Sequence, residues 1–323
     1  MTTNQSLLQK ADLAMADLTA NGGELAPEEG AAFIRKLIKQ PTILRQARVV
    51  EMSANKRKVN KIGFGSRILR KAVAGTALTQ TQRSKVTTSQ IQLSTHELIA
   101  EVRLPYEVME DNIERATAAN NENSNTGPGG LRQTIIDLIG ERAALDLEEL
   151  GLLAYQSYTN ADPDDQDYMS LLNGWIKRSE LYGNVVDAAG ATIDKTLFKQ
   201  GQKAMPDQYL RNKAAMKHFV SMDQETEYRD TLADRPTALG DGNITGQNPA
   251  YAYGTPVEAV SLMPEAKGLF TNPLNLLFGI QRQMSMEFDK DILSRVYIIV
   301  LTCRVDFQIE ETEAMVVYQN IGS

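Results

Sequence analysis

The longest regular pattern of apolar positions runs from Leu131 to about Ala154 and predicts a single helix. Its apolar residues recur every three or four positions, which places them on one stripe over about six turns, roughly 35 Å. Charged residues such as Arg132, Asp137 and Glu141 fall off this stripe. We expect a helix of this length to be the element against which the others pack. The predicted stripe consists of Leu131, Ile135, Ile139, Ala143, Leu147, Leu150 and Ala154.

The end of the chain has the two-residue period of β-strands. Residues 295–302 (RVYIIVLT) are almost continuously apolar, as expected for a strand at the centre of a sheet. Further strands are predicted within 257–291 and over 314–318. After residue 302 the pattern alternates strictly. Its inward positions are Cys303, Val305, Phe307 and Ile309, and its outward positions are Arg304, Asp306, Gln308 and Glu310.

Shorter patterns fill the rest of the chain. Residues 236–256 form a Gly/Pro/Asn-rich loop that is too long for a simple connection. Strands from the middle and the end of the chain, flanked by helices, predict an α+β fold. The other predicted elements are helices over 1–20 and 27–40, a strand over 43–52, a helix capped by Asp194 and ended by Pro206, a buried strand over 218–222 and a helix capped by Asp223.

The charged residues are distributed unevenly along the chain. The segment from Met52 to His96 contains neither Asp nor Glu. It carries nine basic residues, and the remaining 25 basic and 41 acidic residues of the chain give the rest a net charge of −16. The segment is also rich in Thr, Ser, Gln and Gly, and its second half alternates as a strand does. We therefore predict a long two-stranded hairpin with its tip near 65–82, reaching an acidic partner.

Composition excludes several classes of protein. No apolar run approaches the roughly 18 residues of a membrane span, so no membrane partner is expected. The single cysteine, Cys303, excludes an internal disulfide framework. With two histidines and one cysteine, a His/Cys zinc site is not expected, and the DPDDQD stretch at 162–167 lacks the glycine and distal glutamate of a helix–loop–helix calcium site. We expect neither a metal nor an organic cofactor.

The residues needed for catalysis are not arranged in any motif of an enzyme. The glycines of GFGSR and GDGNITG do not form a phosphate-binding fingerprint, and no GxSxG elbow is present. Cys303 is expected to be a packed thiol, and His96 and His218 are about 120 residues apart. Carboxylate pairs cannot be excluded by counting, but none is distinguished by its context. We expect a protein that is not an enzyme, with a soluble enzyme lacking known motifs as the alternative.

The basic hairpin could bind nucleic acid or another copy of the chain, or it could bind neither. Nucleic-acid surfaces usually interleave aromatic residues, whereas this segment has one, Phe64, and the acidic body would repel phosphates. A solvated surface hairpin is the simplest alternative. Self-association explains both charges, because the arm of one copy would lie on the body of the next. The candidate contact residues are Lys56, Arg57, Lys58, Lys61, Arg67, Arg70 and Lys71 on the arm, and Glu107, Glu110, Asp111, Glu141, Glu148 and Glu149 on the body.

The succession of elements resembles the major capsid protein of tailed bacteriophages, the Hong Kong 97-like fold that encapsulin shells share. The similarity covers essentially the whole chain and rests on order, since no single motif is a chemical signature. GGELAPEEGAAFIRKLI followed by RQARVVEM resembles the N-terminal arm entering the body, and LPYEVMEDNIE resembles the segment before the spine helix. LLNGWI resembles the entry into the axial domain, and YGTPVEAVSLMP resembles the place where the strands of that domain return. TNPLNLLFGIQRQMSMEFDKD and RVDFQIEETEAMVVYQNI resemble the return into the peripheral domain.

The resemblance implies a division into four parts: an N-terminal arm over 1–52, an extended β-hairpin loop over 53–97, a peripheral domain with the spine helix over 98–170 and 281–323, and an axial domain over 171–280. It implies a structural subunit that assembles in the host bacterial cytoplasm into hexamers and pentamers of an icosahedral virion capsid around double-stranded DNA. A separate scaffolding protein, a portal and a decoration protein are expected partners, with non-specific contact between DNA and the shell interior. An encapsulin-type compartment with an enzyme cargo is the alternative.

Overall fold

The computed structural model describes residues 42–64, 68, 69, 71, 79–81, 83, 86–105, 131–233 and 249–322. The predicted helices over 1–20 and 27–40, and residues 236–248 of the predicted loop, lie outside these ranges. The helices of the described part are α1 (Leu131–Leu153), α2 (Pro163–Met169), α3 (Trp175–Tyr182), α4 (Lys195–Ala204) and α5 (Met222–Ala233). Its strands are β1 (Arg48–Glu51), β2 (Lys56–Phe64), β3 (Val86–Ser94), β4 (His96–Pro105), β5 (Asn184–Asp187), β6 (Lys217–Val220), β7 (Tyr251–Ala252), β8 (Thr255–Ala259), β9 (Gly268–Thr271), β10 (Leu276–Asp291), β11 (Val296–Ile309) and β12 (Met315–Gln319).

These strands form three sheets. A four-stranded sheet has the order β1-β10-β11-β4, and a six-stranded sheet has the order β5-β12-β9-β6-β8-β7. The third sheet is the antiparallel pair β2-β3. In the four-stranded sheet β11 lies between β10 and β4, as its continuous apolar sequence predicted. This mixture of helices and largely antiparallel sheets confirms the α+β prediction.

The predicted long helix is α1, and its C-terminal half is buried on more than the predicted stripe. Leu147 and Leu150 are buried, as expected, and so is Ala154 just beyond the helix. Leu145 and Leu152 are buried as well, although they lie off that stripe. The stripe pattern therefore found the helix but underestimated how much of its surface the protein covers.

Close contact joins α1 to α3 and β11. A side chain in place of the Gly151 hydrogen would meet the Phe307 ring, since an added Cβ would lie 2.6 Å from its Cε1. Trp175 packs edge-on against the same ring at a centroid distance of 5.3 Å. Its indole Nε1 donates to the Gln308 carbonyl oxygen at 3.1 Å. Gly151 thus permits the long helix to approach the central strand.

The six-stranded sheet separates two hydrophobic cores. On β12, Met315 and Val317 belong to the core shared with α1, α3 and the four-stranded sheet. Val316 and Tyr318 face the second core, which α4 and α5 cover. Because both faces are buried, β12 is apolar at successive positions rather than at alternate ones.

Three local predictions can be compared with the structure. Asp194 is the N-cap of α4, because its side chain accepts from the backbone N–H groups of Thr196 and Leu197 at 2.7 and 3.0 Å. The cap predicted at Asp223 is wrong: α5 begins at Met222, and the Ser221 hydroxyl accepts from the Gln224 N–H at 3.2 Å. The strand predicted over 43–52 is shorter, because residues 42–47 form a turn before β1.

None of the helices in the described ranges combines the length and the apolar content that a membrane crossing requires. The four-part division into arm, hairpin loop, peripheral domain and axial domain remains a prediction.

Candidate inter-subunit surface

The basic segment forms the predicted hairpin from β2 and β3. Lys56 lies opposite Ser94 at its base, and Phe64 lies opposite Val86 at the far end of the paired region. Nine residues in each strand correspond to about 30 Å. Ile62 is 74% exposed, and the side chains of Thr88, Ser89 and Gln90 are exposed as well. The far half of the ribbon therefore has little cover from its own chain.

The base of the hairpin is anchored to its own body by an apolar contact. Leu93 is fully buried and packs with Val50, Met52 and Leu277, and Val59 lies partly buried against them. Alternation along β2 directs Lys56 and Lys58 to the opposite face from Val59. One face of the ribbon base thus covers the body, and the other presents lysines to solvent.

A buried carboxylate strengthens this anchor. Asp306 is 3% exposed, and its Oδ2 accepts from the Ser94 N–H at 2.7 Å. Its Oδ1 accepts from the Phe307 N–H at 2.9 Å, and the Arg178 guanidinium lies 3.8 Å away. Burial raises the pKa of Asp306, and the hydrogen bonds and Arg178 offset part of that increase. The prediction that Asp306 points outward is wrong, because the hairpin base covers that face of β11.

The structure divides the predicted basic contact residues into three groups. Lys56, Lys58 and Lys71 are exposed and have no ion pair with the residues that the structure describes. Arg57 is exposed and donates to the Glu51 carbonyl oxygen, and Lys61 pairs with Glu311 of its own chain at 3.0 Å. Arg67 and Arg70 lie outside the described residues. Lys56 and Lys58 are therefore the clearest cations on the paired part of the ribbon.

The predicted acidic contact residues also fall into three groups. Glu107, Glu110 and Asp111 lie outside the described residues. Glu148 is fully buried, so its assignment as an inter-subunit contact is wrong. Glu141 and Glu149 are partly exposed on α1. These two remain candidate acids on the described part of the body.

Glu148 binds the backbone of residues 42–44 in its own chain and not a neighbouring copy. Its Oε1 accepts from the N–H groups of Thr42, Ile43 and Leu44 at 2.8, 2.6 and 3.3 Å. Its Oε2 accepts from the Thr42 N–H at 3.1 Å. Leu145 and Leu152, three residues before and four after, are buried on the same side of α1. That apolar spacing around Glu148 was the sequence signal of its burial.

Glu149 lies in an open cleft of about 450 Å³ where α1, α2 and α3 meet. Burial raises the pKa of its carboxyl, with Asp146 adding to the increase and Arg142 opposing it. Tyr155 and Tyr158 line the cleft with their rings edge to face at 5.3 Å. Lys177 and Lys267 also line the cleft and pair with Glu180 at 3.1 and 2.6 Å, and the Lys177 Nζ lies 5.8 Å from the centre of the Tyr155 ring. Lysines of the same chain therefore already face the aromatic surface, and Glu149 is the acid of this cleft that remains a candidate contact.

The two groups with the strongest potential for chemistry are packed in the cores. Cys303 is buried, and that burial raises the pKa of its thiol. His218 is fully buried, stacks on Phe270 at 4.2 Å and lies 3.1 Å from the Tyr318 hydroxyl through Nδ1. Burial lowers the pKa of His218 to about 3. Both groups are placed for packing, away from any cleft described above.

Among curated proteins, the chain is 38% identical over 325 residues to the “Putative prophage capsid protein YqbE” of Bacillus subtilis (strain 168), covering 97% of each chain. No protein-family model matches it.

Solved structures have the same fold at low identity. A chain of the satellite phage P4 procapsid, which includes the size determination (Sid) protein, aligns with a TM-score of 0.62 at 13% identity, covering 99% of this chain and 98% of that one. The capsid of a native GTA particle aligns with a TM-score of 0.59 at 16% identity, covering 90% of this chain and 100% of that one. An encapsulin complex of Synechococcus elongatus aligns with a TM-score of 0.55 at 10% identity, covering 96% of this chain and 97% of that one.

Proposed function

The chain belongs to the family of phage capsid proteins with the Hong Kong 97-like fold, and from that premise we propose that it builds a closed shell by self-association through the hairpin surface. The proposed units are hexamers and pentamers that enclose double-stranded DNA. Each copy has a structural role without turnover. The encapsulin alternative shares the fold, but the relative with 38% identity is a prophage capsid protein and favours the phage shell.

The observation that carries the proposal is the hairpin formed by β2 and β3. An isolated two-stranded ribbon is marginally stable in water, so the solvent-exposed face of this ribbon, which carries Ile62 and Thr88, needs an external surface. Its anchor at Leu93 and Asp306 fixes where the ribbon leaves the body. A ribbon held to its own body on one face and exposed on the other is suited to lie across another molecule.

The charge distribution favours a second copy of the chain as that other molecule. Lys56 and Lys58 project from the ribbon, while the chain outside the basic segment carries −16. On the described body, Glu141 and the cleft acid Glu149 are the receiving groups that we propose. Glu107, Glu110 and Asp111 remain proposed partners by their sequence position. Paired charges between copies also suppress wrong registers during assembly.

Other proposed partners follow from the family. These partners are a separate scaffolding protein, a portal and a decoration protein. DNA would touch the shell interior without sequence specificity. Assembly would take place in the host bacterial cytoplasm before DNA enters the virion.

Charge reversal tests the hairpin contact. Lys56→Glu combined with Lys58→Glu should slow assembly and lower the yield of shells, as measured by light scattering and sedimentation. Lys199→Glu on α4 is the control for a single charge reversal at an exposed lysine elsewhere. Assembly of the hairpin variant at the parent rate and yield, in low and in moderate salt, would overturn the proposed contact.

A further inference from the structure

The body-facing side of the ribbon is covered beyond its base. Antiparallel pairing places Val59 opposite Ile91, and alternation along the strands puts Lys61 and Leu93 on that same face. Val59, Ile91 and Lys61 are partly buried, whereas Ile62 on the other face is 74% exposed. The body of the chain therefore covers this side of the ribbon as far out as Lys61.

The contact at Lys61 is made by an acidic turn between β11 and β12. Residues 310–313 (EETE) contain three glutamates, and we refer to them as the acidic turn. The Lys61 Nζ lies 3.0 Å from the Glu311 Oε2, and the two side chains are 23% and 35% exposed. Arg48, in the strand that precedes the ribbon, pairs with Glu310 at 3.0 Å. The acidic turn thus binds one cation from the ribbon and one from the strand before it.

The backbone of Glu311 is fixed by a buried amide side chain. The Glu311 N–H donates to the Asn275 Oδ1 at 2.7 Å, and the Glu311 carbonyl accepts from the Asn275 Nδ2 at 2.9 Å. Asn275 is 8% exposed, and its Nδ2 also donates to the Thr271 hydroxyl at 3.2 Å. The third acid of the turn, Glu313, accepts from the Tyr209 hydroxyl at 3.3 Å. Glu311 is therefore the acid of the turn that is held in place to receive the ribbon.

The cations of the ribbon divide by face. On the body-facing side, Arg57 donates to a backbone carbonyl oxygen and Lys61 binds the Glu311 carboxylate, both in the same chain. On the other side, Lys56 and Lys58 are exposed and have no ion pair with the residues that the structure describes. One face is thus occupied within the copy, and the other is available to a neighbour.

We propose that the Lys61–Glu311 ion pair, formed within one copy, sets the direction of the ribbon and so prepares its exposed face for the neighbouring copy. This inference rests on the proposed function and reassigns Lys61 from a contact between copies to a positioning residue. The anchor at Leu93 and Asp306 fixes one point of the ribbon, and Lys61 fixes a second point about 13 Å further along the strand. A ribbon that is already ordered loses less conformational entropy when it binds.

Zero-length coupling tests whether the pair forms inside one copy. A carbodiimide joins an ammonium and a carboxylate in contact as an amide, with loss of water. Free subunits labelled with light and with heavy nitrogen, mixed equally, should give a Lys61–Glu311 product whose two peptides always carry the same isotope. The Lys267–Glu180 pair, at 2.6 Å, is the positive control. Mixed-isotope products, or coupling of the control pair alone, would overturn the proposal.

Charge exchange tests the effect of the pair on assembly. Lys61→Glu places two carboxylates together, so it should speed amide-hydrogen exchange in the ribbon of the free subunit and slow shell assembly. Addition of Glu311→Lys in the same chain should restore both. A mixture of the two single variants should stay defective, because neither chain then contains an opposite pair. Recovery in the mixture would place the pair between copies and contradict the proposal.

A neutral substitution gives the size of the effect. Lys61→Gln should raise amide exchange in the ribbon about two- to five-fold, as expected for the loss of one partly exposed ion pair, and should slow assembly. Lys199→Gln on α4 is the matched control for the loss of an exposed lysine and should change neither. Faster assembly of Lys61→Gln would contradict the proposal, since the pair would then hold the ribbon back.

The outcomes separate this role of Lys61 from shell formation itself. Normal assembly of Lys61→Glu would overturn the positioning role and leave the proposed function standing. A parent protein that gives the same-isotope product and never assembles would contradict the proposed function, while the ion pair within the copy would stand.

Discussion

Asp306 accepts a hydrogen bond from the backbone N–H of Ser94 at 2.7 Å, and this bond ties the end of β3 to the central strand β11. The residues are 212 positions apart in the sequence. Ser94 is the last residue of the basic ribbon, and Asp306 lies in a strand of the body. The ribbon therefore leaves the body from a point that the core defines.

Removal of this carboxylate should loosen the base of the ribbon. Asp306→Ala leaves the N–H groups of Ser94 and Phe307 without their acceptor, which should cost about 1–3 kcal/mol in the free energy of unfolding. Urea unfolding measures the loss, and limited proteolysis should show faster cleavage near Ser94. Asp306→Asn keeps an acceptor oxygen and should lose less. Equal stability of the Ala variant and the parent would show that the bond is not needed for the anchor.

Glu148 should stabilise the fold of each single subunit. Glu148→Ala would leave the buried backbone donors of residues 42–44 unpaired, and we expect a loss of about 2–5 kcal/mol in urea unfolding. Glu148→Gln retains one acceptor oxygen and should recover part of that loss. Glu141→Ala is a matched control on the same helix, with a more exposed side chain and a small expected effect. A normal subunit with Glu148→Ala that fails only in assembly would instead place Glu148 at a contact between copies.

Local sequence patterns predicted the helices and strands. They failed where a side chain is buried by residues that are distant in the sequence. The spacing of Leu147 and Leu150 was sufficient to find α1, and the side chain of Asp194 was sufficient to find the start of α4. The outward assignment of Asp306 failed because the cover comes from the ribbon, which is more than 200 residues distant in sequence.

Charge alone also could not distinguish a surface acid from a buried one. Glu148 and Glu149 are adjacent acidic residues on α1, yet Glu148 is fully buried and Glu149 is partly exposed. The two residues differ in the side of the helix on which they lie. Glu148 lies on the same side as the buried Leu145 and Leu152, which form a second apolar side of α1. The strand order of the six-stranded sheet is likewise absent from the sequence pattern, because it is a property of the whole sheet.

Acid should destabilise the subunit through His218. Burial lowers the pKa of this imidazole to about 3 in the folded state, against about 6.5 in an unfolded chain. The stability that its neutral form supports is therefore complete above about pH 6.5 and is lost as pH falls toward 3, by up to about 1.4 kcal/mol per pH unit. Thermal unfolding between pH 7 and pH 4.5 measures this slope.

A double variant isolates the contribution of the imidazole from that of the carboxylates. His218→Phe with Tyr318→Phe removes both members of the hydrogen bond and keeps rings in contact with Phe270. Its stability should depend less steeply on pH below 6.5 than that of the parent. Identical slopes for the two proteins would show that His218 does not remain neutral in the fold.

One matched pair of substitutions tests the position of α1 in the core. Leu147→Asp buries a charge among the apolar contacts of the main core and should prevent folding. Leu293→Asp makes the same change at a side chain that is 97% exposed and should leave the unfolding temperature nearly unchanged. Circular dichroism and the yield of soluble protein compare the two. Soluble, folded Leu147→Asp protein would show that this face of α1 is not in the core.

Electron microscopy of the purified chain tests self-association into a shell most directly. The expressed protein, alone or with its scaffolding protein, should give closed particles of uniform diameter, with six-fold and five-fold units visible on their surface. The hairpin of each copy should lie across a neighbour in the resulting density. A protein that remains a 35.7 kDa monomer at every salt and scaffold concentration would contradict the account.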